Sequence, residues 1–216
     1  MGMQTLDLLK FRARGRRLGQ AALVLYEFAL PHVGELMSAL ASIETVSPFR
    51  HMVTPGGFTM SVALTNCGAL GWTTDRSGYR YTPIDPETGK RWPVMPDIFS
   101  RLASEAATAA GFFDFAPDAC LINRYRPGAR LSLHQDKNEQ DYDAPIVSVS
   151  LGMRATFLFG GFKRTEPTAK VSLYHGDVAV WGGADRLRYH GVTPLKGEPH
   201  PLLGIRRINL TFRKAG

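Results

Sequence analysis

The hydrophobic positions of the first half of the chain repeat at helical intervals in two segments. Within residues 31–41 the apolar side chains recur three or four positions apart, at Val33, Leu36, Met37 and Leu40. This spacing predicts an amphipathic helix. A second amphipathic helix is predicted to begin at Pro96-Asp97 and to end at Gly111, a typical stop residue. Residues 48–93 between them are rich in Gly, Thr, Pro and aromatics, which favours short strands and long turns.

After Gly111 the pattern changes to short apolar or alternating runs separated by Gly and Pro clusters. The runs predict strands at Ala119–Tyr125, Ile146–Leu151, Ala155–Phe159, Val171–Tyr174, Asp177–Trp181 and Ile205–Arg213. Several short strands at this spacing are typical of a sandwich or a jelly roll. The sequence therefore predicts a mainly β fold with flanking helices (α+β), in which a helix-supported N-terminal half precedes the β core.

Composition and charge narrow the classes of function. The chain of 216 residues carries a formal net charge of +7, which favours a polyanionic partner such as nucleic acid. Cys67 and Cys120 form no pair motif, which indicates a reducing, cytoplasmic setting. No apolar run is long enough for a membrane span. A basic segment at residues 10–17 predicts an N-terminal arm over residues 1–20, either solvated or in contact with phosphates.

The motif Leu133-His134-Gln135-Asp136 offers two metal ligands. On an extended strand, residues two apart point to the same side, so we expect His134 and Asp136 to converge. With one more histidine they would form a 2-His-1-carboxylate face, which non-heme iron(II) oxygenases use with positions left open on the metal. Zinc accepts the same ligands, and an isolated His-x-Asp pair is more often an ordinary polar pair.

The third ligand is not determined by position alone. Of the six histidines, His190 follows an alternating stretch and precedes Gly191, while His175 stands before Gly176 in what the sequence predicts to be a tight turn. The context favours His190 over His175 only mildly.

The last predicted strand alternates strictly between polar and apolar residues. Its apolar residues would face a core, and its opposite face would carry Arg207, Asn209, Thr211 and Arg213. Two arginines in one row make a good receptor for a small dicarboxylate, because a guanidinium binds a carboxylate through paired charge-assisted hydrogen bonds. The alternative is the polar outer face of an edge strand. Asn123 and Tyr125 form a similar same-face pair on an earlier strand.

Taken together, these blocks resemble the AlkB family of iron(II)- and 2-oxoglutarate-dependent dioxygenases in order and spacing. The resemblance covers residues 47–213 and includes further matching stretches at residues 52–57, 71–74 and 180–183. The principal matching blocks are Asn123-Arg124-Tyr125-Arg126-Pro127-Gly128, Leu131-Ser132-Leu133-His134-Gln135-Asp136-Lys137, Tyr189-His190-Gly191 and Arg207-Ile208-Asn209-Leu210-Thr211-Phe212-Arg213.

The resemblance implies a double-stranded β-helix (jelly-roll) core and a nucleotide-recognition lid from the N-terminal half. It implies oxidative demethylation of bases such as 1-methyladenine and 3-methylcytosine in DNA repair, with decarboxylation of 2-oxoglutarate, consumption of O₂ and release of formaldehyde. The expected partner is alkylated DNA, or RNA, with no membrane and no obligate protein partner, so the expected state is a monomer. The expected division is an arm at 1–20, helices and lid at 21–111, and the catalytic core at 112–216.

The resemblance also implies a role for each candidate residue. Iron(II) would be held by His134, Asp136 and His190. The 2-oxoglutarate would lie against Asn123, Tyr125, Arg207, Asn209 and Arg213, with one arginine on its distal carboxylate. The target base and the nucleic-acid backbone would be contacted by Trp72, Tyr79, Thr54, Arg130, Asn138 and Arg164.

One position departs from the family pattern. The family has an acidic residue two positions after the metal-binding Asp, where it helps to recognise a cationic base, and this chain has Asn138. An amide still forms hydrogen bonds but carries no charge, so base preference or rate is expected to differ. Strand alternation is expected to direct the adjacent Glu139 elsewhere.

Overall fold

A computed structural model describes residues 15–216 of the chain. Every pair of strands in it is antiparallel. The larger sheet has seven strands, in the spatial order β1 (Gly15–Arg17), β2 (Ala22–Leu25), β11 (Val178–Trp181), β8 (Ile146–Gly152), β13 (Arg207–Arg213), β6 (Ala119–Tyr125) and β3 (Ala63–Gly68).

Two smaller sheets complete the β structure. The four-stranded sheet has the order β10 (Ala169–Leu173), β9 (Ala155–Phe159), β12 (His190–Val192) and β7 (Leu131–His134). A separate hairpin consists of β4 (Gly71–Asp75) and β5 (Gly78–Thr82). Side chains from the seven- and four-stranded sheets share one buried cluster, which includes Tyr125, Phe157 and Trp181, so the two sheets face each other. This arrangement is consistent with a jelly roll, and the mainly β fold class is confirmed.

Two α-helices cover the outer face of the larger sheet. Helix α1 spans Val33–Val46 and helix α2 spans Asp97–Ala109. Their apolar stripes pack against the apolar face of β13, where Phe99 and Phe212 meet edge to face with ring centroids 5.9 Å apart. Helix α2 has the predicted limits, because Pro96 caps its start and Gly111 adopts a φ of 94° just beyond its end. Helix α1 runs several residues past the predicted stretch.

The strands predicted after Gly111 are all present, with shifts of one or two residues at some ends. The larger sheet also takes β1, β2 and β3 from the first 68 residues, so it draws on both sides of the boundary that the sequence suggests at residue 111. Of the basic arm predicted over residues 1–20, residues 1–14 lie outside the described residues.

Two general expectations can be compared with the fold. Cys67 and Cys120 are both buried and both free thiols. Within residues 15–216, no helix has the length and apolar character needed to cross a membrane.

Candidate metal and 2-oxoglutarate site

The polar face of β13 lines a cavity of about 750 Å³ between the two facing sheets. The apolar face of the same strand packs on the helices, as the alternation of the sequence predicts. Strand β13 lies between β8 and β6, so it is a central strand and not the edge strand of the alternative interpretation. A polar row on a central, fully buried strand faces a site and not open solvent.

The four-stranded sheet brings two histidines together at one wall of this cavity. His134 at the end of β7 pairs directly with His190 at the start of β12, and their rings lie 4.4 Å apart. Asp136 completes the group: its Oδ1 lies 3.6 Å from His134 Nε2 and its Oδ2 lies 3.7 Å from His190 Nε2. One potential ligand atom from each of the three residues falls within 4.8 Å of the others. Two imidazole nitrogens and one carboxylate oxygen suit iron(II), as well as zinc.

Both imidazoles are oriented by their own backbone. The Nδ1–H of His134 donates to the carbonyl of Ser132 at 2.8 Å, and the Nδ1–H of His190 donates to the carbonyl of Arg188 at 3.0 Å. A proton on Nδ1 leaves the Nε2 lone pair of a neutral imidazole free for a metal. Burial, together with the adjacent His190, lowers the pKa of His134 from 6.5 to about 4, which favours the neutral form that a metal requires.

The position of Asp136 corrects the argument from strand alternation. Strand β7 ends at His134, and Asp136 lies beyond it in an irregular segment. The side chain is held instead by Arg213, whose Nε and Nη2 donate to Oδ2 of Asp136 at 2.9 and 2.7 Å. Burial alone would raise the pKa of Asp136, but the charge of Arg213 and the contacts with both histidines bring it well below its ordinary value. The ligand is therefore a carboxylate.

Arg207 is the unusual charge of the cavity. Its side chain is 1% exposed, stacks on the ring of Tyr125 at 4.9 Å and donates from Nη2 to the hydroxyl of Ser150 at 2.9 Å. Within the described part of the chain its Nε and Nη1 have no hydrogen-bond partner, nor has the hydroxyl of Tyr125. Burial lowers the pKa of Arg207. A buried cation with free donors is costly alone, so this end of the cavity fits an anion.

The amides at the middle of the cavity are fixed more completely. Asn209 donates from Nδ2 to the hydroxyl of Ser148 at 2.8 Å and to the carbonyl of Val149 at 2.9 Å. Asn123 lies opposite it on β6 and donates to Asn209 Oδ1 at 3.5 Å, while its own Oδ1 has no partner among the described residues. The five candidates for 2-oxoglutarate therefore line one cavity together with the three candidate metal ligands.

The hairpin β4–β5 supplies two aromatic side chains to the mouth of the cavity. Trp72 and Tyr79 stack with ring centroids 5.7 Å apart and an interplanar angle of 21°, and Tyr79 is 47% exposed. Asn66 of β3 fixes the hairpin, because its amide accepts from the backbone N–H of Trp72 and donates to the carbonyl of Trp72, both at 3.0 Å. Asn66 thereby fixes the backbone that carries Trp72.

The remaining candidates lie at the rim of the same cavity. Thr54 belongs to a tight turn in which its hydroxyl accepts from the N–H of Phe58 at 3.2 Å. Arg130 and Asn138 are exposed, and Arg164 donates to the carbonyl of Leu133 at 2.6 Å while lying over the ring of Tyr189. His175, the competing histidine, lies outside the cavity lining, beside His200 with ring centroids 4.3 Å apart.

Sequence reasoning missed several residues of the site. Ser148 and Ser150 of β8 bind Asn209 and Arg207, and their alternation within an apolar strand was a usable signal. Glu139 and Arg186 are buried against Arg213 and the Asp136 segment, and neither belongs to a periodic pattern. Glu139 lies outside the cavity lining, and its ion pairs with Arg186 and Arg213, not strand alternation, account for this.

Comparisons with known proteins agree with this geometry. The family model of the 2OG-Fe(II) oxygenase superfamily matches residues 23–213. The chain is 60% identical to the alpha-ketoglutarate-dependent dioxygenase AlkB of Escherichia coli (strain K12), over 92% of each chain. It is 35% identical to the nucleic acid dioxygenase ALKBH1 of Mus musculus, over 61% of this chain and 33% of that relative. Among solved structures, that of OsALKBH1 superposes with a TM-score of 0.80 at 28% identity, covering 93% of this chain and 99% of the other.

Proposed function

The chain belongs to the AlkB family within the 2OG-Fe(II) oxygenase superfamily, and from this premise we propose that it removes alkyl groups oxidatively from nucleic-acid bases. The bases proposed are N-methylated ones such as 1-methyladenine and 3-methylcytosine in DNA, or in RNA. The methyl carbon would leave as formaldehyde, and the second product would be succinate from 2-oxoglutarate. The proposed role in the cell is repair of alkylated DNA.

The proposal rests on one observation: a group of metal ligands and a buried arginine with unused hydrogen-bond donors line the same cavity. A 2-His-1-carboxylate group with convergent ligand atoms lies on one wall, and Arg207 with unpartnered N–H donors lies on another. A zinc hydrolase with the same three ligands would not need this buried cation. A metal that binds one end of a small dicarboxylate, and an arginine that binds the other end, account for both features.

We assign the metal to His134, Asp136 and His190. When bound, iron(II) with 2-oxoglutarate and O₂ supplies the oxidising power for the attack on the alkyl carbon. The residues themselves have simpler tasks, because the two imidazoles present Nε2 as neutral donors and Asp136 offers Oδ1 while Arg213 occupies Oδ2.

We assign 2-oxoglutarate to the polar row of β13 and its neighbours on β6. Arg207 and the Tyr125 hydroxyl are suited to the distal carboxylate, because both have unused hydrogen-bonding capacity. Asn123 and Asn209 would line the middle of the 2-oxoglutarate molecule. Arg213 lies at the metal end of the cavity, beside Asp136. Burial of these groups excludes water, which strengthens each polar contact.

We propose that the β4–β5 hairpin with the turn at Thr54 forms the nucleotide-recognition lid. Trp72 and Tyr79 would stack on an extruded base, and base stacking on an aromatic contributes about 1–3 kcal/mol. That amount offsets much of the few kcal/mol that flipping a base costs. Asn138 would contact the base edge at the rim.

The basic rim would serve the nucleic-acid backbone, with Arg130 and Arg164 near phosphates. We keep as proposals the division into an arm (1–20), a helical and lid region (21–111) and a catalytic core (112–216) that shares its main sheet with the earlier strands. A monomeric state and a cytoplasmic location complete the proposal. The two free buried cysteines support only the location, because a reducing compartment maintains free thiols.

One coupled assay tests the function. Purified protein is mixed with iron(II), 2-oxoglutarate, O₂ and an oligonucleotide that contains 1-methyladenine, and succinate and repaired base are measured together. We expect the two products in a constant ratio, and neither from Asp136→Ala. Oligonucleotide binding without succinate formation would indicate a nucleic-acid-binding module. Conversion of the methylated base without consumption of 2-oxoglutarate would indicate a hydrolase. Either result refutes the proposal.

A further inference from the structure

The segment that carries Asp136 has no regular secondary structure of its own. It runs from the end of β7 at His134 to the start of β8 at Ile146. A metal ligand must be held in place to be effective, and a segment without sheet hydrogen bonds does not provide this by itself. One backbone hydrogen bond, from the N–H of Gln140 to the carbonyl of Ala215 at 3.2 Å, ties the segment to the chain beyond β13, and side chains of other elements add further restraint.

Arg186 supplies part of this restraint from a different part of the chain, outside the cavity lining. It follows the 3₁₀ turn Gly183–Asp185, and its side chain is only 3% exposed. The guanidinium donates to the carbonyl of Asp136 at 2.7 Å and to the carbonyl of Ala144 at 3.2 Å. One planar group thus binds the backbone near both ends of the irregular segment.

The third partner of Arg186 lies between those two backbone contacts. Its Nη2 donates to Oε2 of Glu139 at 3.2 Å. The other carboxylate oxygen of Glu139 accepts from the hydroxyl of Tyr81 at 2.7 Å and lies 3.3 Å from Nε of Arg213. Glu139 is 5% exposed, so its charge is almost completely engaged within the protein.

These contacts form a buried chain of alternating charge, in the order Arg186, Glu139, Arg213 and Asp136. Two guanidinium groups balance two carboxylates, which limits the cost of removing them from water. At the end of the chain, Arg213 donates twice to Oδ2 of Asp136 and leaves Oδ1 facing His134. The last charge of the network is therefore the metal ligand itself.

We propose that Arg186, acting through Glu139, is a positioning residue of the metal centre. It fixes the backbone that carries Asp136 and holds Arg213 where it occupies Oδ2 of that carboxylate. Asp136 then presents Oδ1 alone to the metal. The hydrogen bonds of Arg186 go to Asp136, Glu139 and Ala144, and not to the 2-oxoglutarate row or the aromatic mouth of the cavity, so its effect is exerted through these neighbours.

The test measures metal binding without turnover. Co(II) serves as an oxygen-stable probe, its affinity measured by calorimetry and its coordination by its visible absorption spectrum. We expect Arg186→Met to weaken Co(II) binding by about 10- to 100-fold, the usual effect of removing a residue that orients a ligand. The spectrum should change as well, because a released carboxylate would bind through a different set of oxygens.

Arg124→Met is the matched control for loss of an ion-paired arginine. Arg124 pairs with Glu44 at 2.8 Å and lies over the ring of Phe49, on the helix side of the sheet. A fall in the thermal unfolding midpoint shared by both variants reports loss of packing, whereas a fall in Co(II) affinity confined to Arg186→Met supports positioning. Wild-type affinity and spectrum in folded Arg186→Met, or an equal loss of affinity in the control, would overturn the proposal.

If Arg186→Met does not fold, a second variant tests the positioning role of the network. Glu139→Gln keeps the shape of the network and removes the charge that joins the two arginines, so a several-fold loss of Co(II) affinity is expected. Unchanged affinity in that variant would also overturn the proposal. The inference relies on the proposed function only for the identity of the natural metal. A wild-type protein that binds Co(II) but repairs no base would refute the function and leave this inference in place.

Discussion

Replacement of Arg207 by methionine is the sharpest test of the 2-oxoglutarate site. Methionine keeps much of the length and apolar contact of the side chain and removes its charge. Truncating one partner of a buried, hydrogen-bonded charge pair costs about 2–5 kcal/mol. Since about 1.4 kcal/mol corresponds to a tenfold change in affinity, we expect 2-oxoglutarate to bind roughly 30-fold to several-thousandfold more weakly.

The assay is a calorimetric titration of the Co(II)-loaded protein with two ligands. The first is 2-oxoglutarate, and the second is 2-oxobutyrate, which has the same 2-oxo acid group but no distal carboxylate. If Arg207 binds that carboxylate, Arg207→Met weakens the first ligand strongly and the second hardly at all. The ratio of the two affinities therefore isolates the contact, in the manner of a double-mutant cycle.

The stability of the protein provides an independent control. Among residues 15–216, Arg207 is a buried cation whose guanidinium makes a single hydrogen bond, to Ser150, so Arg207→Met should leave the thermal unfolding midpoint of the ligand-free protein unchanged or raise it. Equal losses for both ligands would mean that the variant distorts the metal end of the cavity. No loss for either would remove Arg207 from the binding site. Both results refute the reasoning.

Three further predictions concern other parts of the molecule. Trp72→Ala should weaken binding of a methylated oligonucleotide by about 1–3 kcal/mol in a fluorescence titration, and unchanged affinity would exclude stacking on this ring. Asn138→Asp should raise the rate of repair of 1-methyladenine and 3-methylcytosine oligonucleotides. Rates equal to those of the wild-type protein on both substrates would show that residue 138 does not affect repair. Burial and the adjacent His200 lower the pKa of His175, whose Nδ1 accepts from the N–H of Gly152, so unfolding takes up a proton and stability should fall as the pH decreases through 6.5. His175→Asn should reduce the dependence of the unfolding midpoint on pH between 7.5 and 5.5, and an undiminished dependence would assign it to other groups.

The parts of the fold that the sequence predicts are those with a regular period. The row Arg207 to Arg213 alternates with period two, and β13 covers these residues with its apolar face on the helices, although it begins two residues after the predicted start at Ile205. The helix at Asp97–Ala109 has both a periodic stripe and terminal signals. Membership of β1 to β3 in the main sheet depends instead on pairing between residues far apart in sequence, such as Val24 with Ala179, which no local pattern records.

The residues of the candidate site also divide into those that the sequence predicts and those that it does not. The His-x-Asp motif indicates His134, whereas the local context favours His190 over His175 only mildly and the family resemblance selects it. Pairing of β7 with β12, neither of which is among the predicted strands, brings the two histidines together. The placement of Asp136 could not be derived from alternation, because the chain leaves the strand before it. Irregular segments are positioned by individual contacts, and the contacts of Arg186 become visible only when the whole fold is known.

The distribution of charge around the cavity bears on which bases the protein prefers. Asp136 and Glu139 are matched by Arg213 and Arg186, which leaves the positive charge of Arg207 unbalanced among these buried groups. A divalent metal adds two positive charges and 2-oxoglutarate removes two, so one positive charge remains in the loaded site. A base that carries a positive charge from methylation then meets repulsion in a cavity of low dielectric constant. The carboxylate of Glu139 is too fully engaged to counter it, and Asn138 at the rim carries no charge. The positive charge should therefore weaken binding of cationic alkylated bases more than binding of neutral ones. Asn138→Asp should accelerate repair of cationic bases selectively, compared with repair of neutral bases.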